Sequence, residues 1–223
     1  MRKVQIKGVR EQIPVGKIVC IGQNYAGHIR EMKAEIPKTP VFFLKPTTAI
    51  VDNGGEIVLP SISNDVHHEV ELTVLIGKDG KNIPEKDAKN HIAGFGVGLD
   101  MTMRDLQAEA KKKGLPWTLA KGFDTSAPVS EFIPVSRVSE PSSLLLQLNV
   151  NGTLRQKSGT NDLIFSVDRL ISYISRFITL EAGDIIFTGT PQGVAQVKSG
   201  DKLEATLTDP TGALLASLSV HVR

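Results

Sequence analysis

The most regular stretch of the sequence lies between residues 66 and 77 and has the period of a β-strand. One parity of this stretch is apolar: Val70, Leu72, Val74 and Ile76. Because side chains alternate across a strand, Glu69 and Glu71 fall on the other side, and Gly77 ends the run. Two carboxylates that close repel each other unless they are solvated, protonated or bridged by a cation. Considered alone, this spacing favours a solvated strand face over a metal site.

Short runs rich in β-branched and aromatic residues predict many further strands. They cover the opening residues, 17–22, 41–44, 57–59, 94–99, 144–150, 184–188, 202–208 and 215–222. Asn151-Gly152 predicts a hairpin turn of the primed type, because both residues tolerate positive φ. Residues 209–212 predict a second turn, between the last two strands.

Helical patterns are fewer and lie at 25–33, 103–113 and 166–177. Asn24 is the expected N-cap of the first helix, and Thr102 that of the second, which should end just before Gly114. Helices scattered among many strands, without regular β–α alternation, favour an α+β fold built on curved or packed sheets. We expect one domain over residues 1–223, with residues 1–16 as a short leading segment.

Composition narrows the function classes. The 223 residues carry a formal net charge of only +2, and Lys and Arg are interspersed with acids, which argues against a nucleic-acid or membrane-surface protein. The one basic run, at residues 111–113, is expected to be the solvated end of a helix. Cys20 is the only cysteine and is expected to be a buried thiol in a strand. No signal peptide or membrane-spanning run is visible, so a cytoplasmic location is predicted.

Glycine patterns in the chain do not complete a nucleotide-binding motif. Residues 22–27 have phosphate-loop spacing, but His28 follows where a lysine is required. Residues 94–98 resemble a dinucleotide fingerprint whose third glycine comes one residue early, so these glycines are expected to permit a bend or a close backbone approach. The chain also lacks a nucleophile elbow, which argues against serine-nucleophile chemistry.

Three further groups carry candidate chemistry. Asp100 ends a predicted strand, where it either caps the following helix or joins Glu69 and Glu71 in an oxygen-rich site suited to Mg²⁺ or Mn²⁺. His28 and Glu31, three apart on a helix, form either a surface contact or a general-base pair. Lys121, between an apolar pair and a glycine, either snorkels to solvent or stabilises a developing oxyanion.

Several motifs, in order, resemble the fumarylacetoacetate hydrolase family from about residue 17 to the C-terminus. They are Ile21-Gly-Gln-Asn-Tyr-Ala-Gly-His28 with Glu31, Phe43-Leu-Lys-Pro46, His68-Glu-Val-Glu-Leu72, Gly98-Leu-Asp100 with Arg104-Asp-Leu-Gln107, Lys121-Gly-Phe-Asp124 and Phe187-Thr-Gly-Thr-Pro-Gln-Gly-Val194. The chain is most similar to the short, single-domain branch of acylpyruvases and oxaloacetate decarboxylases. The resemblance implies a β-rich, mixed-sheet roll that is usually a homodimer.

The resemblance also implies a role for each matching position. The expected ligands of Mg²⁺ or Mn²⁺ are Glu69, Glu71 and Asp100. The expected catalytic residues are a dyad on a short lid helix and a lysine for the enolate-like oxygen: His28, Glu31 and Lys121. The expected substrate-binding residues are Arg104, Gln107, Thr190, which would hold a substrate carboxylate, and Lys45, whose role is the least defined of the set.

The implied substrate is a small 2-oxo acid, and the implied reaction passes through a metal-stabilised pyruvate enolate. Acylpyruvate hydrolysis, oxaloacetate decarboxylation and keto–enol tautomerisation of oxaloacetate share that enolate, so the sequence separates them poorly. Two alternatives stay open. One is an isomerase and decarboxylase of aromatic catabolism, similar to 2-hydroxyhepta-2,4-diene-1,7-dioate isomerase. The other is a non-catalytic, metal-binding relative.

Overall fold

The computed structural model describes residues 2–223, which form strands β1–β18 and helices α1–α4. The strands are β1 Lys3–Gln5, β2 Gln12–Pro14, β3 Ile18–Gly22, β4 Val41–Lys45, β5 Ile50–Val51, β6 Glu56–Ile57, β7 Val66–His68, β8 Val70–Ile76, β9 Ile92–Leu99, β10 Thr102–Met103, β11 Ala127–Pro128, β12 Ile133–Pro134, β13 Leu145–Val150, β14 Thr153–Gly159, β15 Ile185–Phe187, β16 Ala195–Gln196, β17 Lys202–Thr208 and β18 Leu214–Val222. The helices are α1 Ala26–Glu31, α2 Arg104–Lys113, α3 Thr118–Lys121 and α4 Val167–Ser175. The predicted α+β class, rich in strands, is confirmed.

A six-stranded mixed sheet forms the centre of the molecule, in the order β12-β9-β8-β15-β3-β4. Strands β15 and β3 are parallel, and the other neighbours are antiparallel. Every residue of β8 and β15 is buried, since both faces of this sheet are covered. Strands covered on both faces need apolar side chains on both, which explains their nearly continuous hydrophobic sequences.

A five-stranded sheet in the order β14-β13-β17-β18-β6 packs against one face of the central sheet. Its inner strands alternate buried and partly exposed residues, as expected for a sheet with one covered face. Leu72 and Val74 of β8 join the core between the two sheets, whereas Leu75 packs on the opposite side, with the apolar residues of the leading segment. By parity, Glu71 faces that opposite side.

The predicted continuous strand at residues 66–77 is interrupted at Glu69. Residues 66–68 leave the central sheet and pair with β10 and β16 in a small three-stranded sheet. The solvated face that the spacing alone favoured is not found either, because Glu69 and Glu71 are only 4% and 1% exposed. The alternation in the sequence indicated the parity of these residues, and the covering layers decided their burial.

The predicted helices are present but shorter, and two predicted caps are wrong. Asn24 does not cap α1; its side chain binds main-chain atoms of residues 165 and 188 and so joins three segments. Thr102 donates to the Asp100 carbonyl, and Met103 takes the N-cap position of α2. By contrast, Gly114 ends α2 with φ of 66°, as predicted, and Ser166 caps α4 by accepting from the Arg169 N–H at 3.3 Å.

Local turn predictions are confirmed. Asn151 and Gly152 have φ of 51° and 76° and connect β13 to β14, which is the primed geometry that suits the twist of a hairpin. The main chain turns at residues 209–212, between β17 and β18. At Gly94 a Cβ would lie 2.5 Å from the Ile133 carbonyl oxygen, so this glycine permits the close approach of β12. Within residues 2–223, no helix is long and apolar enough to cross a membrane.

Candidate active site

Three buried carboxylates lie close together at one end of the central sheet, at the start of β8 and the end of β9. Glu69 lies at the break between β7 and β8, Glu71 is the second residue of β8, and Asp100 directly follows β9. Strands β8 and β9 are antiparallel neighbours, with Val70 opposite Leu99, so their pairing brings these positions together. One ligand oxygen from each carboxylate lies within 4.8 Å of the other two, and none of the three residues is more than 4% exposed.

Lysine and arginine side chains surround part of this group. Lys121 Nζ donates to Glu69 Oε2 at 2.7 Å and to Asp100 Oδ2 at 2.6 Å. Arg104 Nη2 donates to Glu69 Oε1 at 2.6 Å. Burial raises the pKa of Glu69, but the charges of Lys121 and Arg104 outweigh it and hold that pKa below its usual range. Burial lowers the pKa of Lys121, and its two carboxylate partners more than reverse this, so Lys121 stays charged.

Glu71 has no such cationic partner. Its Oε2 accepts from the Gly189 N–H at 2.7 Å, but burial and then the charges of Asp100 and Glu69 raise the Glu71 pKa well above its usual value. Asp100 Oδ1 is buried without a hydrogen-bond donor, although Lys45 Nζ lies 2.8 Å away out of alignment. Three buried carboxylates, one of which lacks a cationic partner, are the donor set that a hard divalent cation prefers.

The spacing of the carboxylates also fits such a cation. Oxygen ligands lie about 2.1 Å from Mg²⁺, so oxygens on opposite sides of the ion are separated by about 4.2 Å. No two of these ligand oxygens are more than 4.8 Å apart, so binding such an ion needs only a small inward movement. These three residues therefore fit a Mg²⁺ or Mn²⁺ ion, with its remaining positions free for water or a substrate.

Lys45 contacts Asp100 but does not line the cleft that opens beside Glu69 and Glu71. Its amine is fully buried and donates to the Met101 carbonyl at 3.2 Å, to Ser126 Oγ at 2.9 Å and to the Lys121 carbonyl. The Lys45 amine thus contacts Asp100 and the Lys121 backbone, and its role in substrate binding stays a prediction.

The predicted dyad lies at one side of the cleft on α1. His28 Nδ1 is 3.4 Å from Glu31 Oε2, and both Glu31 oxygens accept from the Gly193 N–H, at 3.1 and 3.2 Å. These bonds connect α1 to the loop that follows β15. Burial lowers the pKa of His28, although Glu69 and Glu31 oppose the effect. His28 is therefore held as neutral imidazole near pH 7, the form that can accept a proton.

The first turn of α2 supplies the predicted substrate-binding pair. Arg104 Nη1 donates to Gln107 Oε1 at 2.7 Å, and both residues line the cleft. Arg104 Nε is buried without an acceptor. Glu69 and Gln107 thus hold the guanidinium through two of its five N–H groups, and the buried Nε–H stays available for a further acceptor.

Thr190 lines the cleft from the loop after β15, but its hydroxyl is already bonded. The hydroxyl donates to the Val70 carbonyl at 2.9 Å and accepts from Gln156 Nε2 at 2.9 Å. A substrate carboxylate beside Thr190 would therefore be bound by its main-chain N–H, or only after the hydroxyl leaves Val70.

Three residues of this region were not predicted from the sequence to belong to the site: Gln156, Lys111 and Trp117. Gln156 is 1% exposed on a strand whose neighbours are mostly exposed, and nothing in its local sequence marks it. Lys111 is exposed at the end of α2, as predicted for the basic run, but it also lines the cleft. Its ammonium lies 5.1 Å from the centre of the Trp117 ring, which lines the cleft as well. The full lining is Ile21, Gly22, Gln23, His28, Met32, Phe43, Glu69, Glu71, Arg104, Gln107, Lys111, Trp117, Lys121 and Thr190.

Comparisons with known proteins cover almost the whole chain. The family described as fumarylacetoacetate (FAA) hydrolase C-terminal matches residues 17–222. The mitochondrial oxaloacetate tautomerase FAHD1 of Mus musculus is 52% identical over 188 residues, 84% of this chain and 85% of that protein.

Solved structures of similar proteins point to the same family. Fumarylpyruvate hydrolase from Pseudomonas aeruginosa, in complex with Mn²⁺ and pyruvate, is 41% identical with a TM-score of 0.93, covering 99% of this chain and 95% of that one. The 2-hydroxyhepta-2,4-diene-1,7-dioate isomerase from Mycobacterium marinum is 36% identical with a TM-score of 0.80, covering 93% and 74%. The resemblance found in the sequence is confirmed, and the chain belongs to the fumarylacetoacetate hydrolase family.

Proposed function

We propose that this protein is a divalent-metal-dependent enzyme that acts on small 2-oxo acids through an enolate. The reactions proposed are acylpyruvate hydrolysis, oxaloacetate decarboxylation and keto–enol tautomerisation of oxaloacetate. The observation that carries the proposal is the convergence of three buried carboxylates on one point, in a cleft that also holds a histidine, an arginine and a lysine. The relatives named as an oxaloacetate tautomerase and a fumarylpyruvate hydrolase support it.

Glu69, Glu71 and Asp100 would hold Mg²⁺ or Mn²⁺. A divalent cation there supplies Lewis-acid charge for the negative charge that develops on the 2-oxo oxygen. Lys121 adds a permanent positive charge to the same place, because two carboxylates keep its amine protonated. A developing anion in a buried site gains much more from such fixed charges than it would in water.

His28 would act as the general base for hydrolysis. Glu31 accepts at Nδ1, which places the ring proton on Nδ1 and leaves the Nε2 lone pair free to take a proton from water. Water activated in this way would attack the distal carbonyl of an acylpyruvate and release a carboxylic acid and pyruvate enolate. Oxaloacetate would reach the same enolate by loss of CO₂, and its tautomerisation requires only that a proton be moved.

The mouth of the cleft favours substrates with a second carboxylate. Lys111 and Arg104 bring positive charge to the cleft. The Lys111 ammonium lies over the Trp117 ring, and this cation–π contact helps to keep it at the cleft. Oxaloacetate and fumarylpyruvate carry a distal carboxylate that such a cation can bind, whereas acetylpyruvate does not. We therefore propose oxaloacetate-like dicarboxylates as the preferred class.

Steady-state assays test the proposed function. Oxaloacetate and acetylpyruvate are compared with Mg²⁺, with Mn²⁺ and with a chelator, following enol absorbance and pyruvate release. The expected result is activity that the chelator abolishes and either cation restores. Full activity in the chelator would refute a metal-dependent reaction, and inactivity on both substrates with either cation would favour the non-catalytic alternative.

The isomerase alternative has one observation in its favour, the structural similarity to 2-hydroxyhepta-2,4-diene-1,7-dioate isomerase. That likeness is weaker than the 52% identity to the oxaloacetate tautomerase. Measuring turnover of the longer diene dicarboxylate beside oxaloacetate distinguishes the two, because the alternative requires the longer substrate to react faster.

A homodimer is also proposed. Apolar side chains are exposed on β4 and around α3, among them Leu44, Leu115 and Leu119, and Leu119 is 75% exposed. A contiguous apolar surface of this kind is typical of an interface between subunits. Light scattering after size exclusion tests it, and a monomer mass at micromolar concentration would contradict it. The cytoplasmic location stays a prediction, and the Mus musculus relative is named mitochondrial.

A further inference from the structure

On the side of β8 that faces β15, the first residues of the strand, next to the acidic residues, have no strand beside them. Strand β15 pairs with β8 only as far as Phe187, opposite Thr73, and then turns away to form the cleft. Buried main-chain N–H and C=O groups need partners. Beyond Phe187 the Leu72 carbonyl accepts from the Thr188 N–H and hydroxyl, at 3.1 and 3.0 Å. Val70 is the next residue whose main-chain groups point to this side, and only side chains are there to bond them.

Gln156 and Thr190 close a ring of hydrogen bonds around the Val70 peptide groups. Gln156 Oε1 accepts from the Val70 N–H at 3.0 Å, Gln156 Nε2 donates to Thr190 Oγ1 at 2.9 Å, and Thr190 Oγ1 donates to the Val70 carbonyl at 2.9 Å. Both main-chain groups of the residue between Glu69 and Glu71 are therefore held by side chains that come from two other parts of the fold.

The orientation of the Gln156 amide is fixed by main-chain groups whose roles are unambiguous. Its oxygen faces the Val70 N–H, and its nitrogen faces the Pro191 carbonyl at 2.8 Å. His68 Nδ1 completes the set at 2.9 Å from Oε1, so the amide uses all four of its hydrogen bonds. A flipped amide would oppose N–H to N–H and C=O to C=O, which leaves one arrangement.

We propose that Gln156 is a positioning residue for the metal centre, which acts by fixing the Val70 backbone and thereby the directions of Glu69 and Glu71. The inference rests on the proposed function, because it assumes that these carboxylates bind a cation. A metal or catalytic constellation works only when its groups are held within about 0.5 Å of the productive geometry. The positions of the Glu69 and Glu71 carboxylates depend on the orientation of the peptide groups between them. They hold that geometry only if these peptide groups cannot rotate.

Mn²⁺ titration of the chelator-treated protein, by calorimetry or by the loss of the free-ion paramagnetic signal, tests the inference. Gln156→Leu keeps the approximate volume and removes all four hydrogen bonds. We expect its Mn²⁺ affinity to fall about 10- to 100-fold, the usual effect of losing a group that orients metal ligands, while its circular dichroism stays that of the wild type. Thr190→Val opens the same ring at a different bond, and we expect it to weaken Mn²⁺ binding in the same direction.

The matched control is Ser175→Ala. Ser175 is fully buried, accepts from the Ile83 N–H at 2.9 Å, and does not line the cleft, so this variant also leaves a core N–H unpaired. We expect lower thermal stability with unchanged Mn²⁺ affinity. Wild-type affinity in folded Gln156→Leu would overturn the inference; if that variant does not fold, wild-type affinity in Thr190→Val overturns it. A wild-type protein that binds no Mn²⁺ would instead refute the proposed function, which keeps the two failures distinct.

Discussion

Replacing Glu71 by glutamine should raise the stability of the metal-free protein but lower that of the metal-loaded protein relative to the wild type. Glutamine keeps the shape and can still accept from the Gly189 N–H, but it removes one of three charges whose ligand atoms lie within 4.8 Å of one another. At an effective dielectric constant of about 20, two carboxylate charges at that separation repel by about 3.5 kcal/mol. Protonation of Glu71 and the charge of Lys121 relieve part of this, so we expect Glu71→Gln to stabilise the chelated protein by about 1–2 kcal/mol.

The pH dependence follows from the raised pKa of Glu71, which burial and the neighbouring Asp100 and Glu69 charges cause. Between the ordinary carboxyl pKa and the raised one, the folded chelated protein binds more protons than the unfolded chain, so stability falls as pH rises. Glu71→Gln should remove this slope. Its stabilisation should therefore be largest above the raised pKa and vanish at pH values below the ordinary one.

Metal loading reverses the comparison. A ligand at 100 times its dissociation constant stabilises the folded state by about 2.7 kcal/mol, or about 5–10 °C in Tm for a chain of this length. We expect that rise for the wild type with Mn²⁺ and almost none for Glu71→Gln. Thermal melts in chelator and in Mn²⁺ measure both effects, with Glu204→Gln, at a half-exposed carboxylate on β17, as the matched control. An equal Mn²⁺-dependent rise in Glu71→Gln would show that Glu71 is not a ligand.

Three more predictions concern the cleft. His28→Ala should lower kcat for acylpyruvate hydrolysis about 100-fold or more, the usual contribution of a general base, and undiminished hydrolysis would place the base elsewhere. Because burial depresses the pKa of His28, the wild-type acid limb of kcat/KM should have its midpoint below the ordinary imidazole value of 6.5, and a limb centred above 6.5 would contradict a buried neutral base. Lys111→Met should raise KM for oxaloacetate about 10-fold while changing acetylpyruvate turnover little, as expected for loss of one charged contact. Lys112→Met, on the same helix but outside the cleft lining, is the matched control. Equal effects of Lys111→Met on both substrates would show that Lys111 does not bind the distal carboxylate.

Local features of this fold could be predicted from the sequence because their physical causes are local. The Asn151-Gly152 hairpin needs only two residues that accept positive φ, and both have it. Gly114 ends α2 for a similar reason, with φ of 66°. The two wrong caps have a common cause. The Asn24 and Thr102 side chains found better partners elsewhere, Asn24 in segments more than a hundred residues away.

The sequence by itself predicted that the Glu69 and Glu71 side chains point the same way, since a strand has a period of two, and its ordered motifs indicated the family. Only the tertiary structure decided that these carboxylates are buried, that Lys121 contacts Glu69 from 52 positions away, and that Gln156 holds Val70 from 86 positions away. The reason is physical. Local periodicity sets the side to which a residue points, whereas the distance between groups remote in the chain depends on how whole sheets pair and pack.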